Sequence, residues 1–227
     1  MSKELTEIGR RVAQLLVKAG AINISREQPF ILAAGWASPV YVDCRLLIGE
    51  PDTRHTITAL AAEYIAAVCP GGFDVVAGGE TAGIPFAALL ADRFSLPLRY
   101  VRKRPLGIGR HAQVEGGPVD GMRVLLIDDL TTDATGKLAF VRGLRQAGAT
   151  VEHAVTIFFN NAFPGAIERL EDAGVALHAL ATWADILSDD SALAAADRAL
   201  IENFLKDPIA WSARHGGRIA PTPRVRA

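Results

Sequence analysis

The chain is poor in cysteine. Among 227 residues only Cys44 and Cys69 occur. They show no metal-type spacing and read as reduced thiols of a cytoplasmic protein rather than as a disulfide framework. No sign of charge dominates either. With 24 basic residues against 25 acidic ones, the net charge is −1. That balance argues against a nucleic-acid protein held by bulk charge and against a polybasic membrane anchor. No apolar run is long enough to span a bilayer, and the opening "MSKELTEIGRR" lacks the apolar core of a signal peptide. Internal repeats and low-complexity tracts are absent. Asn23 opens an Asn-Ile-Ser triplet, but a cytoplasmic chain does not meet the glycosylation enzyme.

What is present is hydrophobic and periodic. Half the residues are hydrophobic, enough for a sizeable core in one large domain or one domain with a cap. From about Leu5 to Ala19, apolar residues at Ile8, Val12, Leu15, Leu16 and Ala19 have helical spacing. "FILAAGWASPVYVDCRLL" reads as two short strand-like runs broken by Gly35 and Pro39. Pro51 opens a long Ala-rich helix that runs to Val68.

Beyond it, strands and helices alternate. "FDVVAGG", "LRYVRK", "RVLLIDD", "TVEHAVTIFF" and "VALHALAT" read as strands. "AGIPFAALLADRF", "TGKLAFVRGLRQAG" and "AFPGAIERLEDAG" between them read as helices. Such alternation predicts a mostly parallel sheet covered by helices on both faces, an α/β fold. The expected division is a cap over residues 1–50, an α/β core over 51–182 and a helical C-terminal segment over 183–227. Residues 104–121 interrupt the pattern with five glycines and no core periodicity; a mobile lid is expected there.

The strand "RVLLIDD" runs straight into two acids, Asp128 and Asp129. In an open parallel sheet, ligands sit at the carboxyl ends of strands. Adjacent carboxylates there are costly to bury without partners. They make sense if they hold ribose hydroxyls, a metal-bound group or a nearby cation. Strand ending and helix capping is the plainer alternative. The "TTDATGK" that follows supplies backbone amides at a helix start, which is an anion site. Acids beside a phosphate cradle suit a ribose 5-phosphate. A Walker loop is excluded, because Thr131 stands where its first glycine belongs. The dinucleotide fingerprint is excluded too, because Ala112 stands where the third glycine would follow Gly107 and Gly109.

"VLLIDDLTTDATGK" resembles the phosphoribosyl diphosphate (PRPP) motif of type I phosphoribosyltransferases. "SPVYVDCR", "GGETAGIPFA", "YVRKRPLGIGRHAQVEG" and "WSARHGG" resemble, in order and over nearly the whole chain, the orotate phosphoribosyltransferase family. The resemblance implies the type I fold with a small N-terminal hood. It also implies a Mg2+-dependent, cytoplasmic glycosyltransferase of pyrimidine biosynthesis that converts orotate and PRPP into orotidine 5'-monophosphate and diphosphate. A homodimer sharing lid residues across subunits is implied as well. Two alternatives stand beside it: a phosphoribosyltransferase for another nucleobase, and a PRPP-binding regulator that has lost catalysis.

Residue by residue, the resemblance puts Asp128 and Asp129 under the ribose hydroxyls, with Lys103 as the third catalytic group. Leu130, Thr131, Thr132, Asp133, Ala134, Thr135 and Gly136 would wrap the 5'-phosphate, and Thr132 would also touch orotate. Glu80 and Thr81 belong to the diphosphate loop, where Glu80 either caps the next helix or sits near metal. Arg102 and Lys103 would grip diphosphate. Arg104, Gly107, Gly109, Arg110 and His111 belong to the lid. Tyr41 either lies over the orotate ring or is a strand core residue. Arg45 either faces an anion or pairs with Asp43. No protein metal cage is expected, because Mg2+ would ride on PRPP and water.

The chain departs from the family pattern at Leu106, Ile108 and Ala33, where basic residues are usual, and at Ala82 and Ala134. Arg104, Arg110, His111 or Lys137 would compensate for the lost charge. Asn160 and Asn161 follow a strand near the expected site and read as turn formers. The five histidines are expected to form no ligand cluster, with His153 and His178 structural. Trp36, Trp183 and Trp211 are expected to be packing residues.

Overall fold

The computed structural model describes residues 3–105 and 113–220. The lid positions Leu106, Gly107, Ile108, Gly109, Arg110 and His111 lie outside the described residues. The chain opens with α1 (Lys3–Lys18), whose buried stripe is Ile8, Val12, Ala13 and Leu16. Four short strands follow: β1 (Ile22–Ile24), β2 (Phe30–Ile31), β3 (Ala37–Ser38) and β4 (Val40–Val42). β1 pairs with β4 and β2 with β3, both antiparallel. "CRLLI" is a 3-10 turn (Cys44–Ile48), not a strand. The Asp43 carboxylate accepts from the Arg45 amide and caps it, a local competition that short acids win at helix starts.

The core alternates as its periodicity predicts: α2 (Pro51–Val68), β5 (Val75–Gly79), α3 (Gly83–Phe94), β6 (Leu98–Val101), β7 (Val114–Glu115), β8 (Arg123–Thr131), α4 (Thr135–Gln146), β9 (Thr150–Phe159), α5 (Ala166–Asp172) and β10 (Ala176–Thr182). The strands form one sheet in the order β10-β9-β8-β5-β6-β7. All neighbours are parallel except β7, which runs antiparallel on the β6 edge. β7 corrects the expectation of an unpatterned lid up to Gly121. A strand of two residues is too short to show a period of two.

Alternate residues of β8 feed two cores, as strand geometry requires. Leu125 and Ile127 join the core under α1, α2 and α3. Val124 and Leu126 join the core under α4 and α5. The C-terminal α6 (Trp183–Ile186), α7 (Ala195–Lys206) and α8 (Pro208–Arg214) finish the described chain. They carry Trp183 and Phe204 into the first core. Trp36 is buried and stacks on Phe163 at 4.4 Å between centroids, while Trp211 stacks on His215. Among the described residues no helix is long and apolar enough to cross a membrane.

The histidines need a correction. His153 on β9 and His178 on β10 do meet, Nδ1 to Nε2 at 3.0 Å, and Cys69 joins them. Spacing along the chain could not show this, because parallel pairing brings together residues 25 apart.

Candidate active site

The carboxyl ends of β5 and β8 open into a cavity of about 470 Å³, within the range of small-ligand sites. Its wall includes Tyr41, Glu80, Thr81, Lys103 and the stretch from Asp128 to Ala134, with Gly136 and Lys137. The hood contributes Leu32, Ala33, Ala34 and Tyr41. Most of the sequence-predicted residues are thus brought together. Arg102, Arg104 and Thr135 are not among the lining residues.

Backbone proximity shapes the floor. An added Cβ on Gly83 would fall 2.5 Å from the Ile127 carbonyl oxygen and 2.9 Å from the Asp128 Cα. On Gly79 it would meet the Phe140 ring at 2.5 Å. Gly83 therefore lets the start of α3 lie against β8, and Gly79 lets the Phe140 ring of α4 lie on β5.

The acid doublet is asymmetric. Asp128 Oδ2 accepts from Lys137 Nζ at 2.8 Å, and the same ammonium donates to the Leu130 carbonyl at 2.7 Å. The Lys137 side chain is 2% exposed, so it is committed to this contact and does not supply the charge missing from the lid. Asp129 has its pKa pushed up to about 6, first by burial and then by the neighbouring charge of Asp128. Nothing in the spacing of Lys137 announced its ion pair. The pair forms because α4 starts on the loop that leaves β8.

The loop from β8 into α4 turns at Ala134, with φ +61° and ψ +5°. This left-handed geometry favours glycine, and alanine bears strain there. Asp133 accepts from the Thr135 amide at 3.0 Å and from its hydroxyl at 2.7 Å. Arg169 donates to the Asp133 carbonyl at 2.7 Å, and Arg218 stands 3.9 Å from the Asp133 carboxylate. Both arginines escaped notice in the sequence, lying 36 and 85 residues beyond the loop they brace. The Thr131 hydroxyl is buried with no hydrogen-bond partner among the described residues.

The remaining polar residues find definite partners. Glu80 does not cap α3, whose N-cap is Ala82 without a side-chain bond. Its carboxylate accepts from the Lys103 amide at 2.9 Å, leaving the Lys103 side chain on the cavity wall. Arg102 is turned to Glu115, Nε to Oε1 at 3.2 Å. Arg45 pairs with Asp43 at 2.6 Å and also donates to the Tyr41 hydroxyl at 3.2 Å. Tyr41 is half-buried and lines the cavity. Burial raises its pKa. Asn160 is more than a turn former: its side-chain oxygen accepts from Trp183 Nε1 at 2.9 Å, and it reaches the cavity wall.

The phosphoribosyl transferase domain family matches residues 50–172. An orotate phosphoribosyltransferase of Ruegeria sp. is 47% identical over 209 residues, covering 90% of this chain and 92% of that one. The chain belongs to the orotate phosphoribosyltransferase family. The orotate phosphoribosyltransferase of Aeropyrum pernix superposes with a TM-score of 0.67 at 35% identity, over 78% of this chain and 97% of that one. UMP synthase of Leishmania donovani superposes at 0.73 with 26% identity; it is matched over 87% of this chain, which spans 42% of that longer protein. Members of this family generally use a divalent metal.

Proposed function

We propose that the chain transfers the 5-phosphoribosyl group of PRPP to orotate, giving orotidine 5'-monophosphate and diphosphate, with Mg2+. The observation that carries this reading is the acid doublet Asp128–Asp129 facing the hood residue Tyr41 across one cavity, with the loop into α4 beside it. The oxygen-rich donors of the cavity suit a hard cation. Asp129, held partly protonated by burial and by Asp128, gains most from a cation nearby. Mg2+ on the diphosphate would supply charge neutralisation of the leaving group.

The rest of the chemistry belongs to the chain. The main-chain amides of residues 132–136 and the positive end of α4 would hold the 5'-phosphate. Arg169, Arg218 and the Asp133–Thr135 bonds keep that loop in shape before the ligand arrives, which lowers the ordering cost of binding. As the bond to diphosphate breaks, positive charge grows on the ribose. The doublet, with Asp129 deprotonated above its raised pKa of about 6, would stabilise that charge. Lys137 pairs with the Asp128 carboxylate from the cavity floor. Tyr41 and Thr132 would orient orotate. Lys103 would meet the diphosphate with its ammonium. Arg102 would do so after leaving Glu115, or across a homodimer interface that also brings the lid. A cytoplasmic setting belongs to the same proposal.

The loss of orotate absorbance with PRPP and Mg2+ present tests this. Orotate is expected to be consumed. Turnover restricted to other bases, or PRPP binding without any turnover, would overturn the assignment.

A further inference from the structure

Three side chains distant in sequence converge away from the cavity, on the face of the sheet covered by α1 and α2. Cys69 follows the last turn of α2 and is buried in the core beneath it. His153 is on β9 beside Val155, and His178 is on β10 beside Leu180; Val155 and Leu180 both point into that same core. The register pairs His153 with Ala176 and His178 with Val155, so the imidazoles sit on adjacent strands, one step apart on one face. Their facing nitrogens are 3.0 Å apart, and with the Cys69 sulfur all three atoms lie within 4.8 Å of one another. His153 pairs with Leu125, three residues before Asp128, so the trio sits roughly 10 Å along the strands from the acid doublet.

We propose that Cys69, His153 and His178 bind one zinc ion, with water completing the tetrahedron. Zinc bonds of about 2.0–2.1 Å to nitrogen and 2.3 Å to sulfur set ligand atoms roughly 3.3–3.6 Å apart. The two nitrogens need to part by a few tenths of an ångström, and the sulfur needs to close in. One thiol and two imidazoles suit zinc, and no carboxylate is in the set to favour Mg2+ or Ca2+. Both histidines are only partly buried, so an ion and its water have a way in.

The protonation states agree with that chemistry. Burial, and then His153, hold His178 down to about 4, so its imidazole is neutral and able to ligate. Burial pushes the Cys69 thiol up to about 11, so binding must displace its proton. The balance is one Zn–S and two Zn–N bonds formed, one S–H bond broken and one proton released to water. The hydrogen bond between the imidazoles also breaks. The ring proton then sits on Nε2 of His153 and Nδ1 of His178, which leaves Nδ1 and Nε2 as the ligating atoms.

Cobalt(II) is the probe, because a thiolate bound to it gives a charge-transfer band in the near ultraviolet. The full chain, stripped with chelator and titrated with cobalt, is expected to develop that band with one ion per chain and to lose it on adding one equivalent of zinc. Cys69→Ser is expected to abolish the band. His153→Asn and His178→Asn are each expected to weaken binding at least tenfold. Cys44→Ser is expected to keep the band, which fixes the assignment to Cys69 even if Cys69→Ser fails to fold. No band in the unaltered chain, or a band surviving in Cys69→Ser, overturns the proposal. Neither readout involves orotate, so failure here leaves the transferase reading untouched.

Discussion

Lys137 and Asp128 form the buried ion pair of the cavity floor, Nζ to Oδ2 at 2.8 Å, with the ammonium 2% exposed and the carboxylate 13%. The pair explains how two adjacent acids tolerate burial. One is paid for by a cation, and the other, Asp129, keeps a raised pKa. Removing the ammonium leaves Asp128 without its counter-charge. Lys137→Met is therefore expected to lower stability by about 3 kcal/mol and, by removing a charge that lowers the Asp129 pKa, to push the ionisation of Asp129 to higher pH. Urea unfolding together with the pH profile of kcat/KM measures both. An unchanged profile would show that the pair does not govern the doublet.

Asp129 itself makes a linkage prediction. Its folded pKa, about 6, lies above the ordinary aspartate value of 3.8. The folded state then binds more protons between those values, so its contribution to stability is full below pH 3.8 and is lost as pH rises to about 6. Asp129→Asn removes that loss. It is expected to be more stable than the parent at pH 7, by about 1–3 kcal/mol, and nearly inactive. In the parent, kcat/KM is expected to rise with pH through an apparent pKa of about 6. Denaturant midpoints of parent and variant at pH 4 and pH 7 check the first part, and initial rates check the second.

Much of the fold was legible in the sequence. The strands that alternate with helices are long and apolar enough to declare their period, and β9 runs over the very residues "TVEHAVTIFF". The acid doublet and the loop after it were legible because type and order alone carry the chemistry. Partnerships across the sheet were not. Lys137 is a helix residue whose burial is visible only when α4 is laid on β8. Arg169 lies in a helix and Arg218 in the C-terminal segment, and neither pattern points to the Asp133 loop that both approach. His153 and His178 looked structural because a strand pattern says nothing about its neighbour's register. Glu80 was open between cap and metal, and a third partner, the Lys103 amide, holds it.

Ala134 occupies a left-handed turn at φ +61°. Replacing it with glycine relieves Cβ strain but adds freedom to the unfolded chain, two effects of opposite sign. The strain is the larger. Ala134→Gly is expected to raise Tm by about 2 °C and to leave turnover unchanged or improved. A lower Tm would mean that the loop holds alanine without strain. Differential scanning calorimetry decides.

Arg169 is 8% exposed and holds the loop into α4 through the Asp133 carbonyl and the Thr135 hydroxyl. Arg169→Met keeps the length and removes both bonds. KM for PRPP is expected to rise about tenfold, equivalent to one charge-assisted contact, with kcat changed far less. The same loss in kcat alone would place Arg169 in the chemistry rather than in the shape of the loop.

The most direct test is a crystal soaked with PRPP and Mg2+. The 5'-phosphate is expected within hydrogen-bond distance of the amides of residues 132–136, with the ribose hydroxyls on Asp128 and Asp129 and the diphosphate beside Thr81 and Lys103. Density for PRPP elsewhere, with the doublet facing only solvent, would contradict the assignment of this cavity.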